Sequence, residues 1–171
     1  DLDVLMRARA AMQDALISAW SERTENVPLR EPYEALILAS IVERETGVAS
    51  ERAEIAGVFT RRLALGMRLQ TDPTVIYGLG AEFDGNLNRR HLRDDNNRFN
   101  TYRIAGLPPT PIALPGKEAI VASLNPKGGE ALYFVAKGDG SHAFSRTLSE
   151  HEENVRRYQL NRRKDYRSSP K

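Results

Sequence analysis

The chain contains no cysteine. That excludes disulfides, thiolate metal sites and cysteine nucleophiles, and is compatible with an oxidising compartment without requiring one. Histidine is almost as scarce. His91, His142 and His151 are scattered, without ligand-spaced partners or a carboxylate cluster, so a metal site has no foothold. His91 and His151 fall in polar stretches and read as surface residues; His142 either faces a cleft or pairs across strands. The longest apolar run, residues 35–42, is broken by Ser40 and is far too short to cross a bilayer. No secretory leader is visible. A phosphate loop, a dinucleotide-binding glycine pattern and a serine elbow are also missing, which leaves phosphoryl transfer, hydride transfer and serine hydrolysis without residues to perform them. No cofactor is expected.

What is present is ordinary for one globular domain: 171 residues, 40% hydrophobic and 28% charged. The net charge of +2 and pI near 9.0 suit contact with an anionic polymer. The arginine pairs 61–62, 89–90, 156–157 and 162–163 have no aromatic interleaving and read as solvated helix faces, so a nucleic-acid partner is not expected. The opening Asp1-Leu2-Asp3 runs into a helix without an initiator methionine and reads as the start of an excised fragment.

Periodicity outlines a mainly α, α+β chain. Leu5, Ala8, Met12, Leu16 and Ala19 form a stripe on a first helix over about 3–22. A polar connection leads to Pro32, which suits the first turn of a second helix. Ser50 reads as the N-cap of a third, which carries Ile55, Val58, Phe59 and Leu63 and ends at Gly66. Asp72-Pro73 reads as a cap and first turn of a short helix through Tyr77, so Asp72 is first of all a cap. Residues 80–99 form a polar loop with one short helix near 88–92. Pro108, Pro109, Pro111 and Pro115 make 100–116 either a rigid groove wall carrying Asn100 and Tyr102 or a structural strap. A helix over about 116–124 follows, then a hairpin with strands at 131–136 and 142–145. A last helix starts near Ser149, and 161–171 reads as a frayed tail.

The chemistry centres on Glu45. Ile37, Leu38, Ile41 and Val42 recur at helical spacing, and Glu45 continues that buried stripe while Glu43 points away. Gly47 reads as the terminator, which places Glu45 in the last turn, at the negative end of the helix dipole. Burial and dipole both oppose ionisation, and a carboxyl group protonated near neutral pH is what protonating a glycosidic oxygen requires. A two-carboxylate hydrolase would need a partner, for which Asp72 and Asp84 are the candidates.

Several long strings then resemble one family. Leu38-Ala-Ser-Ile-Val-Glu-Arg-Glu-Thr46, Ala49-Ser-Glu-Arg52, Gly66-Met-Arg-Leu-Gln-Thr-Asp-Pro-Thr-Val-Ile-Tyr-Gly78, Asn100-Thr-Tyr102, Gly106-Leu-Pro-Pro109 and Tyr133-Phe-Val-Ala136 are similar, in order, to the YceG-like endolytic murein transglycosylases. The resemblance implies a lysozyme-like catalytic domain over 31–160, preceded by a helix and linker over 1–30. It also implies an upstream membrane anchor and LysM-like domain that are absent from this sequence. Glu45 matches the second Glu of the family's Glu-x-Glu-Thr motif. By the same resemblance Gln70 and Asn100 are substrate contacts, with Tyr102, Tyr133 and His142 as further ones. The implied reaction cuts the MurNAc-β-1,4-GlcNAc bond within peptidoglycan strands and leaves 1,6-anhydro ends. The implied setting is the bacterial inner membrane, with the catalytic domain in the periplasm or outside the membrane and peptidoglycan synthases as possible partners. The rivals are a Glu45–Asp72 muramidase-type hydrolase and a non-catalytic peptidoglycan-binding module.

Overall fold

The computed structural model describes residues 1–161. From residue 162 onward, the tail expected over 161–171 lies outside the described residues.

Helix α1 spans Leu2–Ser21 and α2 spans Pro32–Glu45. After a 3-10 turn at Ala49–Glu51 comes α3, Arg52–Ala64. Next are α4 (Asp72–Leu79), a 3-10 turn at Gly80–Glu82, α5 (Arg89–Leu92) and α6 (Lys117–Leu124). A hairpin of β1 (Tyr133–Ala136) and β2 (His142–Ser145) leads into α7, Leu148–Val155, which runs on as one π-helical turn, Arg156–Leu160. The architecture is α+β and mainly α, as the periodicity indicates.

The core sits where α2, α3 and α6 meet, with α1 against α2 and α6. α2 is apolar nearly all round, and Ala35 and Ile37 through Val42 are all buried, which makes it the central helix. The first stripe is realised only in part: Leu16 and Ala19 are buried, but Leu5 is 67% exposed, so only the C-terminal half of α1 packs. Ser50 lies inside the 3-10 turn and caps nothing. Gly47 is not the terminator of α2 either. Thr46 ends the helix by turning extended (φ −142°, ψ 137°), and its hydroxyl accepts the Val48 N–H at 2.9 Å.

The proline-rich segment acts as a strap at its far end. Ile112 donates its N–H to Ser40 Oγ at 2.9 Å, and Gly116 donates to Glu43 Oε2 at 3.0 Å, tying the segment along α2. The hairpin is antiparallel, with Tyr133 opposite Ser145 and Ala136 opposite His142. Phe134 anchors it on the core through an edge-to-face contact with Phe59 at 5.7 Å. Two arginines read as solvated hold the same hairpin: Arg61 donates to the carbonyls of Ala131 and Lys127, and the buried Arg62 donates to Leu132. Both side chains are committed to backbone, because the strand would otherwise leave these carbonyls unpaired against α3.

Candidate active site

One cleft, of about 940 Å³, runs past the end of α2 and along β1. Glu45 lines it, partly buried at the helix end, and Thr71 donates its hydroxyl to Glu45 Oε1. Burial pushes the Glu45 carboxyl up to about 7; the nearby Asp72 charge adds to this, and the Thr71 hydrogen bond opposes it. The upward shift expected from the stripe is therefore present, with burial as its main cause.

Thr71 is held by a buried threonine network. Its N–H donates to Thr101 Oγ1 at 3.0 Å, and the hydroxyls of Thr74 and Thr101 are 2.8 Å apart. Gln70, immediately before it, has φ +53°, a left-handed turn unusual for a side-chain-bearing residue. That turn lets the Gln70 N–H reach the Thr101 carbonyl at 3.2 Å while its side chain stays exposed in the cleft. Thr71, rather than Asp72, occupies the N-cap position of α4. Asp72 stands in the first turn with its carboxylate exposed to the cleft, where it accepts the Tyr102 hydroxyl at 2.7 Å. Burial and Asp72 push the Tyr102 phenol upward, so it remains a donor.

The second part of the lining comes from α3, the hairpin and α7. The Arg62 guanidinium lies 4.9 Å from the Tyr133 ring centroid and donates to the Leu69 carbonyl at 2.9 Å and to Gln70 Oε1 at 3.3 Å. His151 stacks on Tyr133 at 5.2 Å, and burial lowers its pKa, favouring the neutral imidazole. The buried His142 both pairs across the hairpin and borders the cleft. Its Nδ1 lies 2.8 Å from Glu51 Oε2, and its N–H donates to the other oxygen at 3.0 Å.

The structure thus brings Glu45, Gln70, Tyr102, Tyr133 and His142 to one cleft. Asn100 is the correction. It is fully buried away from the lining, and its amide donates to the carbonyls of His91, Leu92 and Asp94, while its own carbonyl accepts the Tyr102 N–H. A short polar side chain beside a loop satisfies that loop's orphan carbonyls, which is what Asn100 does. Arg62, Thr71 and His151 were missed as lining residues, while Asp72, a candidate partner carboxylate, does line the cleft. His151 is half-buried instead of a surface residue. A signal for Thr71 and Thr101 existed in the repeated threonines of Thr71-Asp72-Pro73-Thr74 and Asn100-Thr101. Nothing local marks Arg62 as buried. Among the described residues no group of three or more His, Asp or Glu is gathered to hold a metal.

The comparisons with known proteins agree on one relationship. The sequence model of the YceG-like family matches residues 1–157. An endolytic murein transglycosylase of Bacillus subtilis (strain 168) is 40% identical over 126 residues, covering 74% of this chain and 34% of that protein. One from Streptococcus pneumoniae serotype 2 is 33% identical over 126 residues, covering 71% and 23%. The crystal structure of a yceG-like protein from Listeria monocytogenes superposes with a TM-score of 0.64 at 42% identity, over 71% of this chain and 38% of that one. The chain therefore spans little more than a third of the longest-covered of these relatives. The family match runs through both parts of the cleft lining, from Glu45 to His151, and on it the chain belongs to the YceG-like family.

Proposed function

We propose that this chain carries the catalytic site of an endolytic lytic transglycosylase that cuts peptidoglycan glycan strands, with Glu45 as its single acid–base residue. The observation that supports this most is a carboxyl group raised to about 7 inside a cleft large enough for a saccharide, on the helix end that matches the family motif. A protonated Glu45 donates its proton to the glycosidic oxygen as the bond to C1 of MurNAc breaks. The positive charge developing at C1 is met by the sugar's own N-acetyl oxygen, so no enzyme nucleophile is needed. Glu45, now ionised, accepts the proton of the C6 hydroxyl, whose oxygen closes on C1 to give the 1,6-anhydro ring. No water is consumed and no cofactor enters.

Thr71 aims the carboxyl group through the hydroxyl hydrogen bond, and leaves Glu45 Oε2 for the substrate. The neighbouring Asp72 carboxylate favours the protonated form of Glu45. Gln70, Tyr102 and Tyr133 are proposed to contact the glycan, and His142 to fix the hairpin that carries Tyr133. A lysozyme-like arrangement, action outside the inner membrane, an upstream anchor and coupling to peptidoglycan synthases belong to the same proposal.

The exposed carboxylate of Asp72 in the same cleft is the one observation that favours a second reading, a two-carboxylate hydrolase. Digestion of uncrosslinked glycan strands, with products read by mass spectrometry, separates the two. Internal fragments ending in 1,6-anhydro sugars, lost in Glu45→Gln, support the lytic reaction. Products one water heavier per cut mean hydrolysis, and intact strands with wild-type protein mean neither.

A further inference from the structure

Among the described residues β1 is paired along one edge only, by β2, and its other edge opens on the cleft. The register shows which peptide groups face outward. Lys137 donates to Ser141 across the hairpin at 2.8 Å, so the residues at 133, 135 and 137 turn their peptide groups toward β2. Those of Phe134 and Ala136 turn away from it, as does the carbonyl of Leu132, whose N–H still donates to the Ser145 carbonyl at 2.9 Å. Two of these three outward carbonyls are occupied: Leu132 accepts from Arg62 Nε at 2.6 Å, and Ala136 accepts from Gln159 Nε2 at 2.8 Å. Between them, the Phe134 carbonyl and the N–H groups of Phe134 and Ala136 have no hydrogen-bond partner among the described residues. All four residues of β1 line the cleft. Side chains alternate across a strand, so a face would contribute only every second residue, and four in succession are what an edge contributes.

Charge supplies a second observation. The Arg62 guanidinium is buried and makes no ion pair among the described residues; its partners are carbonyls, the Gln70 amide and the Tyr133 ring. A buried cation satisfied by dipoles alone places a charge without an ion-pair partner at one end of the open edge.

We propose that the free edge of β1, between Arg62 and Gln159, docks an extended acidic peptide. Given the glycan-cleaving reading above, on which this identification rests, the occupant is the stem peptide of the peptidoglycan strand. Phe134 offers one N–H and one C=O side by side, the pair that a residue of an added antiparallel strand exchanges. The Ala136 N–H follows two residues later, about 7 Å on, which is the repeat of an extended chain. A lone acetamide of the glycan would use only one such pair. The two side-chain clamps stop the open edge after that length, too short for a sheet shared between two copies. Arg62 then selects for a carboxylate on the docked chain.

The test uses the wild-type protein, isotopically labelled, with amide signals followed by NMR. Three probes are titrated: a sugar-free stem peptide with free carboxylates, the same peptide amidated, and the peptide-free disaccharide. The Phe134 and Ala136 amides are expected to shift with the acidic peptide, and amidation to weaken binding about fivefold. Ala136→Pro, which removes only an outward N–H, should weaken it by a similar factor of about five. In that variant the ratio of cleavage rates on peptide-bearing and peptide-stripped strands should fall correspondingly. Shifts caused by the disaccharide instead, equal binding of the amidated peptide, or ligand-free shifts that grow with protein concentration would each overturn the proposal. Cleavage of strands without peptide-induced shifts at these amides defeats the docking site alone. Peptide-induced shifts without cleavage of any strand defeat the catalytic reading and leave an acidic-peptide site.

Discussion

Around Glu45 the ionisation of an acid is held back to about pH 7, whereas around Arg62, in the same cleft, a cation is satisfied in place. The two groups are stabilised by different means. Glu45 sits at the end of the most buried helix beside a negative charge, and burial with that charge outweighs its one hydroxyl donor, so ionisation is disfavoured. Arg62 is more deeply buried but faces backbone carbonyls and an aromatic ring, which satisfy a cation in place. Burial opposes charge at both groups, but only the carboxyl group has an ordinary pKa low enough for that to bring its titration near neutral pH; the guanidinium stays charged and is satisfied by dipoles. The contrast also separates roles. The helical part holds the proposed acid–base group, and the hairpin part is pinned by a cation.

The largest effect that would test this contrast is on the acid itself. Glu45→Gln should lower the cleavage rate at least about a thousandfold, measured by release of anhydro-ended products. The same variant should be more heat-stable than wild type at pH 8.5, by about 5 °C, with the gap closing at pH 4. The sign follows from linkage. A carboxyl group raised from 4.5 to about 7 contributes fully to stability below about pH 4.5 and loses that contribution as pH rises through 7, a loss Gln does not suffer.

Next comes Arg62→Met, which keeps the stem but strands the carbonyls of Leu69 and Leu132. It should cost about 3 kcal/mol in denaturant unfolding, and Lys should rescue little, because it cannot fork to several acceptors. If Arg62→Met were neutral, the hairpin would not depend on the cation and the contrast would fail.

A smaller effect is expected at Gly57→Ala. Alanine ordinarily stabilises a helix over glycine, but here its Cβ would meet the Lys127 carbonyl oxygen that Arg61 also holds. Destabilisation of about 2 kcal/mol should be seen in chemical denaturation. The smallest change is in pH dependence. Asp72→Asn removes the charge that helps keep Glu45 protonated, so the alkaline limb of the activity profile should move toward acid by less than about one pH unit.

Helix α2 was legible because its signal is local: an apolar stripe, a proline in the first turn and a carboxylate on the same stripe. The hairpin was legible for the same reason, since Ala131 through Ala136 alternate poorly but are bounded by glycine-rich turns. What escaped depends on contacts far apart in the chain. Arg62 looks like half of a solvated pair until Leu132, 70 residues on, presents a carbonyl to it. Asn100 looks like a cleft amide until the carbonyls of 91, 92 and 94 are found around it. Asp72 looks like a helix cap until Thr71 takes that position and Tyr102 arrives from 30 residues away. His151 looks exposed until it stacks on Tyr133. Sequence periodicity records which face of an element is apolar, and says little about which polar group a distant loop will deliver to it.

The left-handed Gln70 has a consequence for anyone engineering thermostability into this chain. A non-glycine residue at φ +53° holds about 1 kcal/mol of avoidable backbone cost, so Gln70→Gly is the substitution a stabilisation screen would select. Yet the same residue accepts from Arg62 with its side chain and, through its N–H, docks on the Thr101 carbonyl beside the threonine that holds Glu45. Position 70 is therefore where gains in melting temperature and losses in turnover are expected to be traded against each other.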